Sequence, residues 1–359
     1  MPKWMIDCIE ESPDVCKKMF KEKTAVVARI KELYLKKKYK KLLLIGSGSS
    51  YNIAMSAKYS LEAFLKIRTE VVTPIAFVNY DYRYHEDTLV ICMSQSGRST
   101  NTIAAIQKAK ACGYDTAAIT MVPNSPLGNY CENILEYGSY NGELDCFVCR
   151  YFSSSVLYFI LFALEAGVES GTLRQEEYKQ KTKELKETID YLPTAIQLVS
   201  EFYERNKTDF FSMKRGMAVG IGPTFGLTNE ACLKMSETTG IPTNGYELEE
   251  YLHGPIYEVK KDTAVFLLDG DPLVHDRTIA IYNASHEVTD RVYLFTYSSE
   301  IKGRQVLNLS LTIDPLFRPL LYVLPFQYIP GKMFEDLGIR AITIYNYRAS
   351  CIAETKTDH

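Results

Sequence analysis

The sequence predicts an α/β protein made of two tandem three-layer αβα halves, each around a parallel sheet, joined by a helical connector. Three observations predict it. Short apolar runs alternate with helix-period segments along most of the chain, the pattern of strands linked by crossover helices. A strand–Gly-x-Gly–helix start occurs twice, at Gly46 and at Gly220. Between the two repeats lies a charged, helix-forming stretch from about Thr172 to Lys207, interrupted at Pro193. At 359 residues the chain is long enough to bury two cores.

The elements follow in order. Residues 1–38 are charged and helical in pattern, with Ser12-Pro13-Asp14 reading as a helix start. Lys41–Ile45 is a buried strand that runs into Gly46-Ser47-Gly48-Ser49-Ser50, and Tyr51–Phe64 is helical. Further strands are expected near Glu70–Thr73, Thr88–Met93, Thr116–Thr120 and Ile134–Tyr137, with helices near Ser99–Ala111 and Phe152–Ala166. The pattern restarts at Gly216–Gly220, whose loop Gly220-Ile221-Gly222-Pro223-Thr224 leads into a helix through Glu237. Later strands are expected at Thr263–Leu268, Arg291–Phe295 and Leu307–Ile313. A last helix, Leu321–Leu337, carries Pro325 and Pro330. The resulting partition is a helical segment 1–38, a first domain 39–170, a connector 171–210, a second domain 211–338 and a tail 339–359.

Composition narrows the function. With a net charge of -3 there is no global basic field to hold nucleic acid or an anionic membrane. An anionic ligand must therefore be held by local N–H groups and hydroxyls. Met1–Asp7 has no basic segment followed by an apolar one, and the longest apolar run, Val156–Leu164, falls short of the roughly 20 residues of a spanning helix. A cytoplasmic location is expected. The 9 cysteines are odd in number and scattered, which argues against a disulfide framework. Cys146 and Cys149 form one C-x-x-C without a second pair, so they read as small core residues. Neither a metal nor a cofactor is expected.

The two Gly-x-Gly loops are not dinucleotide loops. The third glycine of that fingerprint, which lets helix and strand pack closely, is replaced by Tyr51 and by Phe225. The first loop instead offers hydroxyls, Ser47, Ser49 and Ser50, at a helix N-terminus. A second loop is richer still. The buried strand Thr88–Met93 ends in Ser94-Gln95-Ser96-Gly97-Arg98-Ser99, which opens the next helix. Capping needs one such residue. Three hydroxyls, an amide and a glycine in six positions fit a loop that curls N–H groups around an anion.

The segments I-G-S-G-S-S-Y-N and S-Q-S-G-R-S-T-N-T resemble the sugar isomerase (SIS) domain family. They are most similar to the isomerase portion of glucosamine-6-phosphate synthase and to fructosamine-6-phosphate deglycases. The resemblance runs from roughly Met5 to Pro330 and covers both halves. It implies a sugar-phosphate substrate whose phosphate is held by Ser49, Ser50, Ser94, Gln95, Ser96 and Ser99. The second half lacks the hydroxyl cluster, so it is expected to supply catalytic groups.

Isomerising a phosphorylated sugar moves a proton between adjacent carbons and opens the ring. A carboxylate suits the first task, and an imidazole titrating near neutral pH suits the second. The motif K-x-x-E at Lys234 to Glu237, followed by E-x-x-H-G-P at Glu250 to Pro255, supplies both. The resemblance makes Glu237 the proton-transferring carboxylate and His253 the ring-opening histidine, with Lys234 and Glu250 in support. In the synthase that histidine reaches the neighbouring subunit's site, which implies a homodimer or a tetramer here.

The chain departs from the synthase in three places. The isomerase-like region begins directly after Met1-Pro2, so glutamine-derived ammonia is not expected from this chain. The stretch matching the synthase's Schiff-base lysine, Gly338 to Ser350, holds Arg348 but no lysine. Lys356 follows in a polar tail expected to be disordered. A hydroxyl-bearing position is Val148 here, while Glu143 and Arg150 keep the loop's charged character. A deglycase needs neither ammonia nor a covalent lysine, so the sequence favours a fructosamine-6-phosphate deglycase or a related amino-sugar-phosphate isomerase or deaminase. The alternatives are a sugar-phosphate sensor, which would need only the phosphate loop and not Glu237 and His253, and a glutamine-independent isomerase like that of glucosamine-6-phosphate synthase.

Overall fold

The computed structural model describes residues 4–83, 87–136, 144–145, 147–338 and 344–357. It divides into two compact units. The first holds Asp14–Lys183 and the C-terminal tail, and the second holds Trp4–Pro13 and the chain from Glu184 through the last long helix.

The first unit opens with helices α1 (Met5–Lys21), which begins in the second unit, α2 (Lys23–Val26) and α3 (Ala28–Leu35). Its sheet comprises β1 (Lys41–Ile45), β2 (Arg68–Val72), β3 (Thr88–Met93), β4 (Asp115–Thr120) and β5 (Ile134–Glu136), in the order β2-β1-β3-β4-β5, all parallel. The crossovers carry α4 (Ser49–Leu65), the short α5 (Pro74–Ala76) and α6 (Thr100–Ala111). Both faces are covered, so β1 and β3 read as continuous apolar runs, and all six residues of β3 are buried. Leu43, Ile45, Val90 and Cys92 form the centre of one core with Ile103 and Ile106 of α6. Helix α7 (Arg150–Ser170) follows. By length and composition it could cross a membrane, but it is 94% buried inside the fold, which accounts for its apolar character.

Helix α8 (Gln175–Ser212) leads into the second unit. The break expected at Pro193 does not occur. Pro193 sits on the exposed side while Ile189, Leu192, Ala195 and Val199 bury the opposite face, and that burial carries the helix past one missing N–H. The start expected at Ser12-Pro13 is displaced for a similar reason: α1 runs through Pro13, with Cys8, Ile9, Cys16 and Met19 buried on either side.

The second sheet repeats the first. Strands β6 (Arg215–Gly220), β7 (Thr243–Glu247), β8 (Thr263–Asp269), β9 (Val292–Thr296) and β10 (Val306–Asn308) lie parallel in the order β10-β9-β8-β6-β7. Read strand for strand, β6 to β10 occupy the places of β1 to β5. Helices α9 (Phe225–Thr239), α10 (His275–His286) and α11 (Pro319–Leu337) belong to this unit, and α12 (Ile344–Ile352) to the first. Strand β7 and helix α10 were not expected from sequence. In a sheet of this order, ligands bind outside the carboxyl ends of the strands, where the order reverses. In the first unit that point lies between β1 and β3.

Candidate functional site

The carboxyl ends of β1 and β3 lead into two loops that open α4 and α6 and line a cavity of about 140 Å³. Water takes up about 30 Å³ in the liquid, so this is room for roughly five water-sized atoms, the size of a phosphoryl group. Ser49, Ser50, Ser94, Gln95, Ser96 and Ser99 all line it, with Ser47, Thr102, Val148, Tyr151 and Lys356.

The two loops are tied together and braced from below. Asn101 Nδ2 donates to Ser47 Oγ at 3.0 Å, and Ser94 Oγ donates to Ser99 Oγ at 3.2 Å. The carbonyl of Gln95 accepts from Thr120 Oγ1 and from the N–H of Met121, while that of Gly97 accepts from the N–H of Leu127. Gly97 has a φ of +64°, and a Cβ there would stand 1.8 Å from Ser125 Oγ. Only glycine fits both the backbone and the space.

A third wall comes from the start of α7. Tyr151 is buried, and its phenol lies 3.2 Å from the Ser50 hydroxyl. Burial pushes its pKa well above the usual phenol value, so the group stays protonated. Asp145 holds this wall in place. Its Oδ2 accepts from the backbone N–H groups of Cys149 and Tyr151, and its Oδ1 meets Arg150 Nη2 at 3.0 Å. Both members of that pair are buried, and breaking such a pair costs about 3–5 kcal/mol. Arg150 is therefore bound into the scaffold. Glu143 and Cys146 lie outside the described residues.

Residues 354–357 of the tail, expected from sequence to be disordered, pair with the serine loop. Lys356 forms an antiparallel bridge with Ser99. Around it, the N–H of Thr100 donates to Thr355 O, Thr100 Oγ1 to Glu354 O, Arg98 Nε to Thr357 O, and the N–H of Thr357 to Arg98 O. Backbone pairing with the serine loop thus fixes the tail and brings an ammonium group to the cavity. Arg348 is exposed on α12 and is not among the residues lining it.

The remaining predicted residues belong to the second unit. Glu230, Lys234 and Glu237 lie on one face of α9. Lys234 Nζ donates to Glu237 Oε2 at 2.8 Å and lies 3.6 Å from Glu230 Oε1. The Glu237 side chain is 35% exposed, whereas those of Glu230 and Lys234 are buried. His253 is exposed in the turn after β7, and its N–H donates to Glu250 O. Glu250 is also exposed. Two larger grooves in this unit, about 460 and 480 Å³, are lined by residues such as Lys261, Arg291 and Gln305, at the amino ends of β8 to β10, and Leu198 and Arg205, beside β10. Neither contains a predicted site residue.

Residues 35–160, which contain both loops of the cavity, match the SIS domain model. This part of the chain is a SIS domain. The chain is 25% identical over 296 residues to the glutamine–fructose-6-phosphate aminotransferase (isomerizing) of Clostridium tetani, covering 81% of this chain and 48% of that protein. Identity to the Thermococcus kodakarensis aminotransferase of the same name is 23% over 350 residues, covering 91% and 54%. The chain thus spans about half the length of the curated relatives it matches. The fold recurs in the C-terminal domain of glucosamine-fructose-6-phosphate aminotransferase from Francisella tularensis. There the TM-score is 0.82 at 21% identity, with 94% of this chain and 97% of that one covered. It recurs in tagatose-6-phosphate ketose/aldose isomerase from Escherichia coli, with a TM-score of 0.71 at 17% identity and coverage of 94% and 95%. Residues 35–160 thus match the SIS domain, and the fold of the chain is shared with these solved structures.

Local sequence does not mark as site residues Tyr151 and Lys356 at the cavity, Asp145 that braces the start of α7, or Glu230 on α9, although Lys356 stands out as the one lysine after Gly338. Local sequence gives none of the first three its place beside the serine loop. Glu230 had a signal: it precedes Lys234 by four residues, one helical turn.

Proposed function

We propose that this protein is a phosphosugar deglycase, releasing an amine from a ketosamine 6-phosphate with water. The observation that carries the reading is the hydroxyl-lined cavity at the carboxyl ends of β1 and β3, with one ammonium, Lys356, at its rim. Hydroxyls, helix N-termini and an ammonium together suit a phosphoryl dianion. In this reading Ser49, Ser50, Ser94, Gln95, Ser96 and Ser99 hold the phosphate. Glu237 removes a proton from C1 of the ketosamine and, after exchange with solvent, delivers a proton to C2, while the amine N–H proton passes to the C2 oxygen through water; the C2 carbonyl becomes a hydroxyl and an imine remains at C1. Water adds to that imine and the amine departs, giving an aldose 6-phosphate. Glu237 is suited to this because one oxygen is anchored by Lys234 while the side chain keeps access to solvent. His253 serves ring opening. It is exposed on a loop that also carries Tyr257, 88% exposed, which favours a site completed by a second copy in a homodimer.

One observation favours a second reading. The ammonium of Lys356 at the cavity, once deprotonated, could condense with a C2 carbonyl, with loss of water, to an imine. The deciding experiment combines two measurements on the full chain. Incubation with a ketosamine 6-phosphate in deuterium oxide should release free amine and place deuterium at C2 of the aldose phosphate. Borohydride added during turnover should leave Lys356 unmodified. A sugar adduct on Lys356 would replace the deglycase reading with Schiff-base chemistry, and no amine release would end it.

A further inference from the structure

The first turn of α7 sets a phenol against the serine loops. Tyr151 lines the cavity and is 1% exposed, with its oxygen 3.2 Å from Ser50 Oγ in the first turn of α4. Packing alone would be served by phenylalanine, whereas a buried phenol has to find a hydrogen-bond partner. This phenol is held in place. The Tyr151 N–H donates to Asp145 Oδ2 at 2.9 Å, and Asp145 is paired with Arg150. Ser155 also lies against the phenol, but it gives its own proton to the carbonyl of Tyr151 at 2.5 Å. Ser50 has one proton, to aim either at the phenol or at the cavity. A phosphoryl dianion offers lone pairs only, so it gains from Ser50 only when that proton faces the cavity. Burial keeps the phenol protonated, and a phenol is a better donor than an alcohol.

We infer that Tyr151 is a positioning residue for the phosphate: it donates to Ser50 Oγ and so turns the Ser50 proton toward the bound phosphoryl oxygen. The inference rests on the reading of the serine-lined cavity as a phosphate site. The two hydrogen bonds then run in one direction, from phenol to serine to anion, and each polarises the next.

The test titrates the full chain, Tyr151→Phe, Ser50→Ala and the double variant with inorganic phosphate and with fructose 6-phosphate, by calorimetry. Tyr151→Phe should weaken both ligands about three- to tenfold, the contribution of one neutral hydrogen bond, and Ser50→Ala about tenfold or more. The double variant should bind within about twofold of Ser50→Ala, because a residue acting through Ser50 adds nothing once Ser50 is gone. Weakening by the product of the two single factors would overturn the inference. So would parent affinity in Tyr151→Phe, the result expected if the phenol proton goes to Ser155 instead. Carbon NMR follows the phenol itself. The Cζ signal of Tyr151, assigned through its bonded neighbours, should move when inorganic phosphate saturates the parent and stay in place when it saturates Ser50→Ala. A signal unmoved in the parent, or moved equally in both, contradicts the inference. If Tyr151→Phe does not fold, this signal decides alone. If the parent binds neither ligand, the phosphate reading fails and takes the inference with it, whereas failure of the double-variant comparison alone leaves that reading standing.

Discussion

Lys356 and Ser99 face each other across an antiparallel bridge, although 257 positions separate them in the chain. The bridge is flanked by four hydrogen bonds, two to Thr100 and two to Arg98. A sugar phosphate in the cavity would therefore meet an ammonium held by backbone pairing. Replacing Lys356 by Met should weaken binding of a sugar 6-phosphate about tenfold or more, while Arg in its place should keep most of the affinity. Binding should also become less sensitive to salt in the Met variant, since an exposed charge has been removed. Calorimetric titration at two ionic strengths checks both statements. Equal affinities for Met, Arg and Lys would remove this residue from the phosphate site.

The hydroxyls make a separate contribution. Ser96→Ala combined with Ser99→Ala deletes two of the hydroxyls that line the cavity. Each hydrogen bond to a charged group is worth about 1.5–3 kcal/mol, so sugar 6-phosphate binding should weaken by about 10²-fold or more while the fold survives. The unphosphorylated sugar should bind poorly to the parent chain and be little affected by the double change. Equal affinity of the parent for a sugar and its 6-phosphate contradicts the assignment of the loop.

Gly97 tests the shape of that loop. Alanine there must adopt a φ of +64° and place its Cβ 1.8 Å from Ser125 Oγ and 2.4 Å from Ser125 Cβ. Ser125 is buried and has little room to move. Strain and overpacking together should destabilise the first unit by about 2–4 kcal/mol and weaken phosphate binding as well. Adding Ser125→Gly removes the clash but not the backbone strain, so about half the lost stability should return, as read by urea unfolding. No recovery in the double variant would mean that the backbone strain dominates.

The same physics explains what the sequence could disclose. Strands β1 and β3 are buried on both faces, so they stand out as unbroken apolar runs, and the polar cluster after β3 stands out because nothing in the core asks for it. Strand β7, Thr-Asn-Gly-Tyr-Glu, is an edge strand paired only to β6 and only partly buried, so it carries no apolar signature. Both buried prolines and exposed ones misled: Pro13 and Pro193 sit inside α1 and α8, where packing of the helix faces outweighs a local breaker. At the cavity, the loop residues were legible because they are contiguous. Tyr151 and Asp145 were not, because their relation to Ser50 exists only once α7 packs against α4.

A buried carboxyl in the second unit gives a prediction about pH. Asp269 ends β8 and accepts from Thr296 Oγ1 at 2.5 Å, and its Oδ2 lies 2.9 Å from His275 Nδ1. Burial raises its pKa above the ordinary value of 3.8, against the opposing pull of Thr296, His275 and Arg318. The folded protein therefore holds this proton to higher pH than the unfolded chain does. Where the folded state binds more protons, stability falls as pH rises. The contribution of Asp269 should thus decline from about pH 3.8 upward until the folded carboxyl has ionised. Asp269→Asn cannot ionise, so stability measured by urea unfolding across this range should fall more steeply in the parent than in the variant. Parallel curves would mean that the hydrogen bonds from Thr296 and His275 cancel the effect of burial.

Glu237→Gln addresses the proposed chemistry directly. The amide keeps the size of the side chain and can still accept from Lys234 Nζ through its oxygen, so the contact at 2.8 Å survives. What is lost is the capacity to take a proton from carbon. Turnover of a ketosamine 6-phosphate should fall by about 10²–10⁴, with substrate affinity nearly unchanged. Exchange of the C1 proton with solvent, followed by NMR in deuterium oxide, should fall by the same factor, because it reports the abstraction step without hydrolysis. If exchange persists at the parent rate while amine release stops, another group removes the proton and Glu237 acts later, in the hydrolysis of the imine. If both persist, the carboxylate on α9 is not the base, and the proton transfer must be sought among other residues of the second unit.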